Sequence, residues 1–169
     1  MFDQLLSLVK ENAGADIIEN TAIPNERNDE AVEAATHSIS DTFRNAIQSG
    51  NAQEVIQLFN DNGNNVSTHP LAQNMQGNLT DRLTKQFGLS GAQAGGIASS
   101  LIPMVLSKFI HRTNDPNDNS FNLSSILGHL GGSNFDVSSV LNQFGLGNKT
   151  GGESSGGGIT DALKNIFRK

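Results

Sequence analysis

Phe87-Gly-Leu-Ser-Gly-Ala-Gln-Ala-Gly-Gly-Ile-Ala-Ser-Ser-Leu-Ile-Pro-Met-Val-Leu-Ser-Lys-Phe-Ile110 decides the fold. Leu89 to Ser107 lies within the longest uncharged stretch of the chain and has the most to gain from leaving water. The spacing predicts a helix that ends at Phe87, where Gly88 takes the left-handed conformation and Leu89 folds back on Leu83 in a Schellman stop. A second helix starts at once, with Ser90 and Gln93 placed to form a Ser-x-x-Gln capping box. One half of that helix is nearly bare of side chain: Gly91, Ala92, Ala94, Gly95, Gly96, Ala98, Ser99 and Ser100. The other half is bulky, from Leu101 and Ile102 to Phe109 and Ile110. Gly91, Gly95 and Gly96 are therefore expected to be points of close packing against another helix backbone. Pro103 removes the hydrogen bond to the Ser99 carbonyl, so a bend is expected near Ser99–Ser100. Gly91-x-x-x-Gly95 is also a helix-pairing motif in lipid. The dense apolar run, Leu101 to Leu106, falls far short of the roughly 20 residues that span a bilayer. The reading is a buried core helix with no direct membrane span.

Working outward, Leu71, Met75, Leu79, Leu83 and Phe87 recur every four residues behind Pro70, which suits the first turn of a helix. Before them, Asn28 is expected to cap a long helix carrying Val32, Ala35, Ile39, Phe43, Ala46 and Ile47 and closed by Gly50. Asn51-Ala-Gln-Glu54 reads as another capping box, ahead of Val55, Ile56, Leu58 and Phe59. A first short helix holds Phe2, Leu5, Leu6, Leu8 and Val9. Beyond the central stretch, Thr113 to Ser120 reads as an exposed loop. Leu123, Ile126, Leu127 and Leu130 then mark a short helix, and another begins near Asp136.

The fold class is all-α, a multihelical bundle of about seven helices, with a Gly/Ser-rich linker and a short amphipathic C-terminal helix. Residues 1–63 form an N-terminal half and 64–147 a central half, joined through the hinge-like Asn60–Asn65 turn into one compact unit. Residues 148–158 are a flexible linker with a reach of about 20 Å. In the tail, 159–169, Ile159, Ala162, Leu163, Ile166 and Phe167 share one helical face, an apolar stripe that is the expected partner-binding surface.

Net charge is −6 and the pI about 5.0, with 11 basic residues and no Trp or Tyr, which argues against a nucleic-acid partner. The absence of Cys excludes disulfides, thiol catalysis and zinc-thiolate sites. His37, His69, His111 and His129 show no ligand spacing such as His-Glu-x-x-His. Asp115-Pro-Asn-Asp-Asn119 resembles the opening of a calcium loop, but Ser120 replaces the glycine and Ile126 stands where the bidentate Glu belongs. No phosphate loop is present, and no nucleophile elbow is assigned, Gly152-Glu-Ser-Ser-Gly156 lying within the Gly/Ser-rich linker. No catalytic, metal or cofactor residue is assigned. Met1 leads into Phe2-Asp3-Gln4-Leu5-Leu6 without the features of a signal peptide, so a cytoplasmic location is expected.

Phe87-Gly-Leu-Ser-x-x-Gln-Ala, then Leu101-Ile-Pro-Met-Val-Leu, the Asn-rich loop and Ser124-Ser-Ile-Leu-Gly-His-Leu-Gly-Gly together resemble the DUF937 (YidB-like) bacterial family. The likeness covers about residues 70 to 147. It implies a multihelical fold and a bacterial source, and supplies no catalytic residues to carry across.

The leading functional reading is a non-enzymatic helical interaction protein that docks on a larger complex or self-associates through the tail and the small-residue face. One alternative is a closing, plug-like subunit of a membrane-embedded secretion channel such as the type 9 translocon, on the periplasmic face of the outer membrane. Another is an enzyme whose pocket is assembled from distant carboxylates.

Overall fold

Twelve of the 21 residues of α2 (Asn28–Gln48) are buried. Around it pack α1 (Phe2–Asn12), α3 (Ala52–Asn60), α4 (Pro70–Phe87), α5 (Gly91–Asn114) and α6 (Leu123–Gly131), and α7 (Val137–Gln143) follows. The computed structural model describes residues 2–61, 63–115, 117–118, 121–131 and 136–143. They form an all-α multihelical fold, with seven α-helices and no strand among the described residues. The chain divides into two compact units, 1–137 and 138–169, so residues 138–147, read from sequence with the central half, fall in the second. The linker 148–158 and the tail 159–169 lie outside the described residues.

α5 makes the most extensive single contact, with α4, while α2 meets each of the other five helices of the first unit, α5 included. This is possible because the polar residues of α2 satisfy their own hydrogen bonds. Thr36 Oγ1 donates to the Val32 carbonyl at 2.8 Å, Ser38 Oγ to Ala34 at 2.7 Å and Thr42 Oγ1 to Ser38 at 2.7 Å. Each hydroxyl is buried without needing a partner from another element. Ala31, Ala34, Ala35 and Ala46 keep the same surface low, leaving room for neighbouring helices.

The core joins distant parts of the chain through aromatic rings. Phe43 of α2, Phe59 of α3 and Phe109 of α5 sit with centroids 5.7–6.2 Å apart. Phe121, just before α6, meets Phe109 edge-on at 5.4 Å and 87°. Such offset and edge-to-face pairs are favourable beyond the area they bury. On the far side, Leu71, Met75, Leu79 and Leu83 give α4 its buried stripe, and α5 lies on α4 more extensively than on any other helix.

Helix ends follow local chemistry in some places and depart from it in others. Ser90 and Gln93 form the expected capping box: the Gln93 N–H donates to Ser90 Oγ and the Ser90 N–H to Gln93 Oε1. Gly88 is left-handed at φ 71°, but its N–H donates to the Thr84 carbonyl, the single bond of the αL motif rather than a Schellman pair. The Schellman pair is at Gly50, where Gly50 N–H donates to Ile47 and Asn51 N–H to Ala46. That arrangement overturns the capping box expected at Asn51. Held at φ −94° and ψ 30° by closing α2, Asn51 lacks the extended backbone of a capping residue, and its side chain makes no cap bond to α3. Nor does Asn28 cap α2, because it is already helical and the 3₁₀ turn Asn25–Arg27 begins the helix, with Arg27 N–H donating to the Pro24 carbonyl.

The described part of the Asn60–Asn65 turn packs against α5. Gly63, at φ 79°, lies so close to α5 that a Cβ there would stand 3.1 Å from Ser107 Oγ, and Asn114 Nδ2 donates to the Phe59 carbonyl. The helix α5 runs through Pro103 as one element and takes in Thr113 and Asn114, so the loop begins only at Asp115. Ser99, which loses its donor to Pro103, is exposed, and solvent can serve its carbonyl.

The aromatic cluster gives a direct test. Phe109→Ala should lower stability by about 3–5 kcal/mol, since the ring is fully buried against three others. Thermal unfolding followed by circular dichroism should show Tm falling by roughly 10 °C; a shift below a few degrees would mean that the cluster does not hold the unit together.

Candidate functional site

Two surfaces of the first unit stand out, and they differ in chemistry. The first is the outer face of α5. Its inner face buries Ala94, Ile97, Ala98, Leu101, Ile102, Val105, Leu106, Phe109 and Ile110. The glycines point the other way. A Cβ built on Gly91, Gly95 or Gly96 would meet nothing within 4 Å among the described residues, which corrects the expectation that they are points of close packing against another of the described helices. The physical reason is rotational: the bulky residues claim the face toward α4 and α1, and Ala94 and Ala98 are the small residues that fall on that inner face. The exposed strip continues through Ser99 and Ser100 to Met104, which is 42% exposed, one of two large hydrophobic side chains so open among the described residues. The other is Ile18, in the π-helical turn Gly14–Ile18. That turn is tied to α5 by Ser100 Oγ, which donates to Asp16 Oδ2 at 3.0 Å. By length and composition α5 is long and apolar enough to cross a membrane, and half of its most apolar window is buried within the unit.

The second surface is a polar trough between α2 and α4, closed at one end by the start of α3. Two adjoining hollows, of about 290 and 570 Å³, share Asn45 and Asn78 as walls. Asn78 Nδ2 donates to Thr42 Oγ1 at 3.0 Å, which orients the amide. At the open end Arg82 donates to Asp41 Oδ2 at 2.9 Å, and Arg44 stands 3.5 Å from Asp41 Oδ1. Nothing in the sequence pattern announced this trough, because its residues come from three helices. The one available signal was asparagine inside the helices, where it is a weaker helix former than Gln, Glu, Lys or Arg.

The histidines serve the fold. His69 Nδ1 accepts from the Leu71 N–H and so caps α4, His129 Nδ1 lies 2.8 Å from the Ser125 carbonyl, and His37 stacks on Phe2 at 4.9 Å. His111 lies beside the Gly63 turn. Among the described residues no three His, Asp or Glu side chains gather as a metal site requires. The sequence-predicted contact residues Ile159, Ala162, Leu163, Ile166 and Phe167 lie outside the described residues.

The open space at the α5 glycines makes a stability prediction. Gly95→Ala and Gly96→Ala should each raise stability by about 0.5–1 kcal/mol, because alanine stiffens the unfolded chain and meets no obstacle in the folded one. Chemical denaturation should register a higher midpoint; a lower one would place a hidden neighbour on that face. No protein-family model, no curated protein and no solved structure matches the chain.

Proposed function

We propose that this chain is a non-enzymatic helical interaction protein, docking on a partner protein or on a second copy of itself through the outer face of α5. One observation carries the reading. Glycine inside a helix destabilises it by roughly 0.5–1 kcal/mol relative to alanine, and Gly95 and Gly96 bear that cost with no atom of the described residues using the space. A helix backbone arriving from outside would use it, since backbones come together most closely where side chains are absent. Met104, exposed on the same helix, offers an adaptable apolar contact beside the bare strip. The tail sequence, with Ile159, Ala162, Leu163, Ile166 and Phe167 at helical spacing, supplies a second contact surface. The resemblance of residues 70 to 147 to the DUF937 (YidB-like) family belongs to the same proposal and adds a bacterial setting but no activity.

Two variants test it. Gly96→Leu should leave Tm unchanged or slightly higher, because the added side chain enters open space, while abolishing self-association in sedimentation velocity or partner recovery in a pull-down. Deleting 148–169 should weaken the same association with little change in Tm. Association that survives Gly96→Leu at wild-type strength would remove the α5 face from the reading. A large loss of stability on deletion, with association intact, would make the tail part of the folded core instead.

A further inference from the structure

We propose that Met104 is a methionine-oxidation site, at which a two-electron oxidant of the hydrogen peroxide class forms the sulfoxide in the folded chain and so loosens docking on the outer face of α5. The loosening, but not the oxidation, rests on the docking face proposed above. Cys, Trp and Tyr are absent from the chain, and with them most of the side chains that oxidants attack readily. Three methionine thioethers remain. Met75 is fully buried in the stripe that α4 turns to the core, Met104 is 42% exposed, and Met1 lies outside the described residues. Susceptibility to oxidation follows exposure. Among the described residues, then, Met104 holds the one sulfur open to a reagent arriving from solvent.

Peroxide alone balances the step. A lone pair of the Met104 sulfur attacks one peroxide oxygen, the O–O bond breaks and an S–O bond forms. The other oxygen leaves as hydroxide and, through solvent, takes the proton carried by the transferred oxygen, giving water. Sulfur loses two electrons and peroxide gains them. The product is polar and chiral where the thioether was apolar and flexible.

The place of Met104 on α5 decides what that change does. Leu101, Ile102, Val105 and Leu106 around it are buried, so Met104 is the large apolar side chain that this part of the helix turns outward. A long helical side chain leans toward the N-terminal end, which carries the thioether toward Ser100 and the bare strip at Gly96. Ser100, one turn before Met104, already donates its hydroxyl to Asp16 Oδ2. A sulfoxide oxygen at this position is therefore served by water while the face is open, and loses that water when an apolar helix closes over it. A polar group brought into an apolar contact without a hydrogen bond is costly. The folded unit bears no such cost, because the oxygen is turned to solvent. Linkage makes the effect reciprocal: if the sulfoxide docks more weakly, docking also protects Met104 from the oxidant.

The experiment treats the purified full-length chain with hydrogen peroxide and follows each methionine by mass spectrometry of its tryptic peptide, Tm by circular dichroism, and association by sedimentation velocity or pull-down. Met104 should gain one oxygen at least roughly tenfold faster than Met75, with Tm unchanged. Association should weaken by at least about fivefold, and methionine sulfoxide reductases of both epimer specificities should restore it. Met104→Leu, close in volume, should associate equally before and after peroxide. Because that variant retains Met1, it separates the two sulfurs. Met104→Gln, polar without any oxidant, should weaken association in untreated protein. Met75 oxidised as fast as Met104 in the folded chain, or Met104 left unmodified, overturns the site. Oxidation of Met104 that leaves association at its original strength overturns the loosening, and if Gly96→Leu still abolishes association, the docking face survives without it. Association that neither oxidation nor Gly96→Leu alters, or no association at all, removes the docking face and the loosening together, and the oxidation site then stands on its peptide alone.

Discussion

Everything in the first unit depends on α2 being buried on several sides while carrying serine and threonine. A buried hydroxyl without a partner costs about 1–3 kcal/mol, and Thr36, Ser38 and Thr42 all lie in the interior. Their donation to carbonyls four residues back removes that cost inside the helix itself. Because these buried hydroxyls donate locally, the helix can be surrounded by neighbours that need supply no acceptor for them. The aromatic junction of Phe43, Phe59, Phe109 and Phe121 then binds α2, α3, α5 and the approach to α6 at one point.

Long-range polar contacts orient the periphery around that centre. Arg27, at the entrance to α2, lies 4.3 Å over the Phe87 ring, donates to the Gln86 carbonyl at 2.9 Å and pairs with Glu30. One guanidinium thus ties the start of α2 to the end of α4, where helix carbonyls lack intrahelical donors. Arg112 of α5 reaches Glu11 of α1 at 3.0 Å. These exposed pairs add little stability singly. Their consequence is rotational: with α5 held by its apolar side and its C-terminal turn, the glycine side can only face outward.

The two open surfaces differ in chemistry. The α5 strip has few hydrogen-bonding side chains and a bare backbone, whereas the trough has amides and an Arg–Asp pair above a small floor of Ala46 and Leu71.

The features legible in the residues alone were those whose partners lie within a few positions. Gly88, Ser90 and Gln93 stop one helix and start the next through bonds spanning three or four residues, and Pro70 starts α4 for the same kind of reason. The four-residue apolar spacing of α4 and the inward set of Val55, Ile56, Leu58 and Phe59 were likewise readable, because periodicity alone defines a face. Periodicity does not say which neighbour covers that face, or whether any does. So the small-residue side of α5 looked like a packing surface until α4 and α1 were seen to occupy the opposite side. The charge-free segment is the buried core helix that its apolar content implies, whereas the burial of α2 was harder to read, because it hides its hydroxyls through bonds to its own carbonyls. Asn51 fitted a capping pattern but was already engaged in closing the helix before it. The trough was invisible in the sequence for the plainest reason: Asn45 and Asn78 are 33 positions apart, and only the packing of α2 on α4 makes them neighbours.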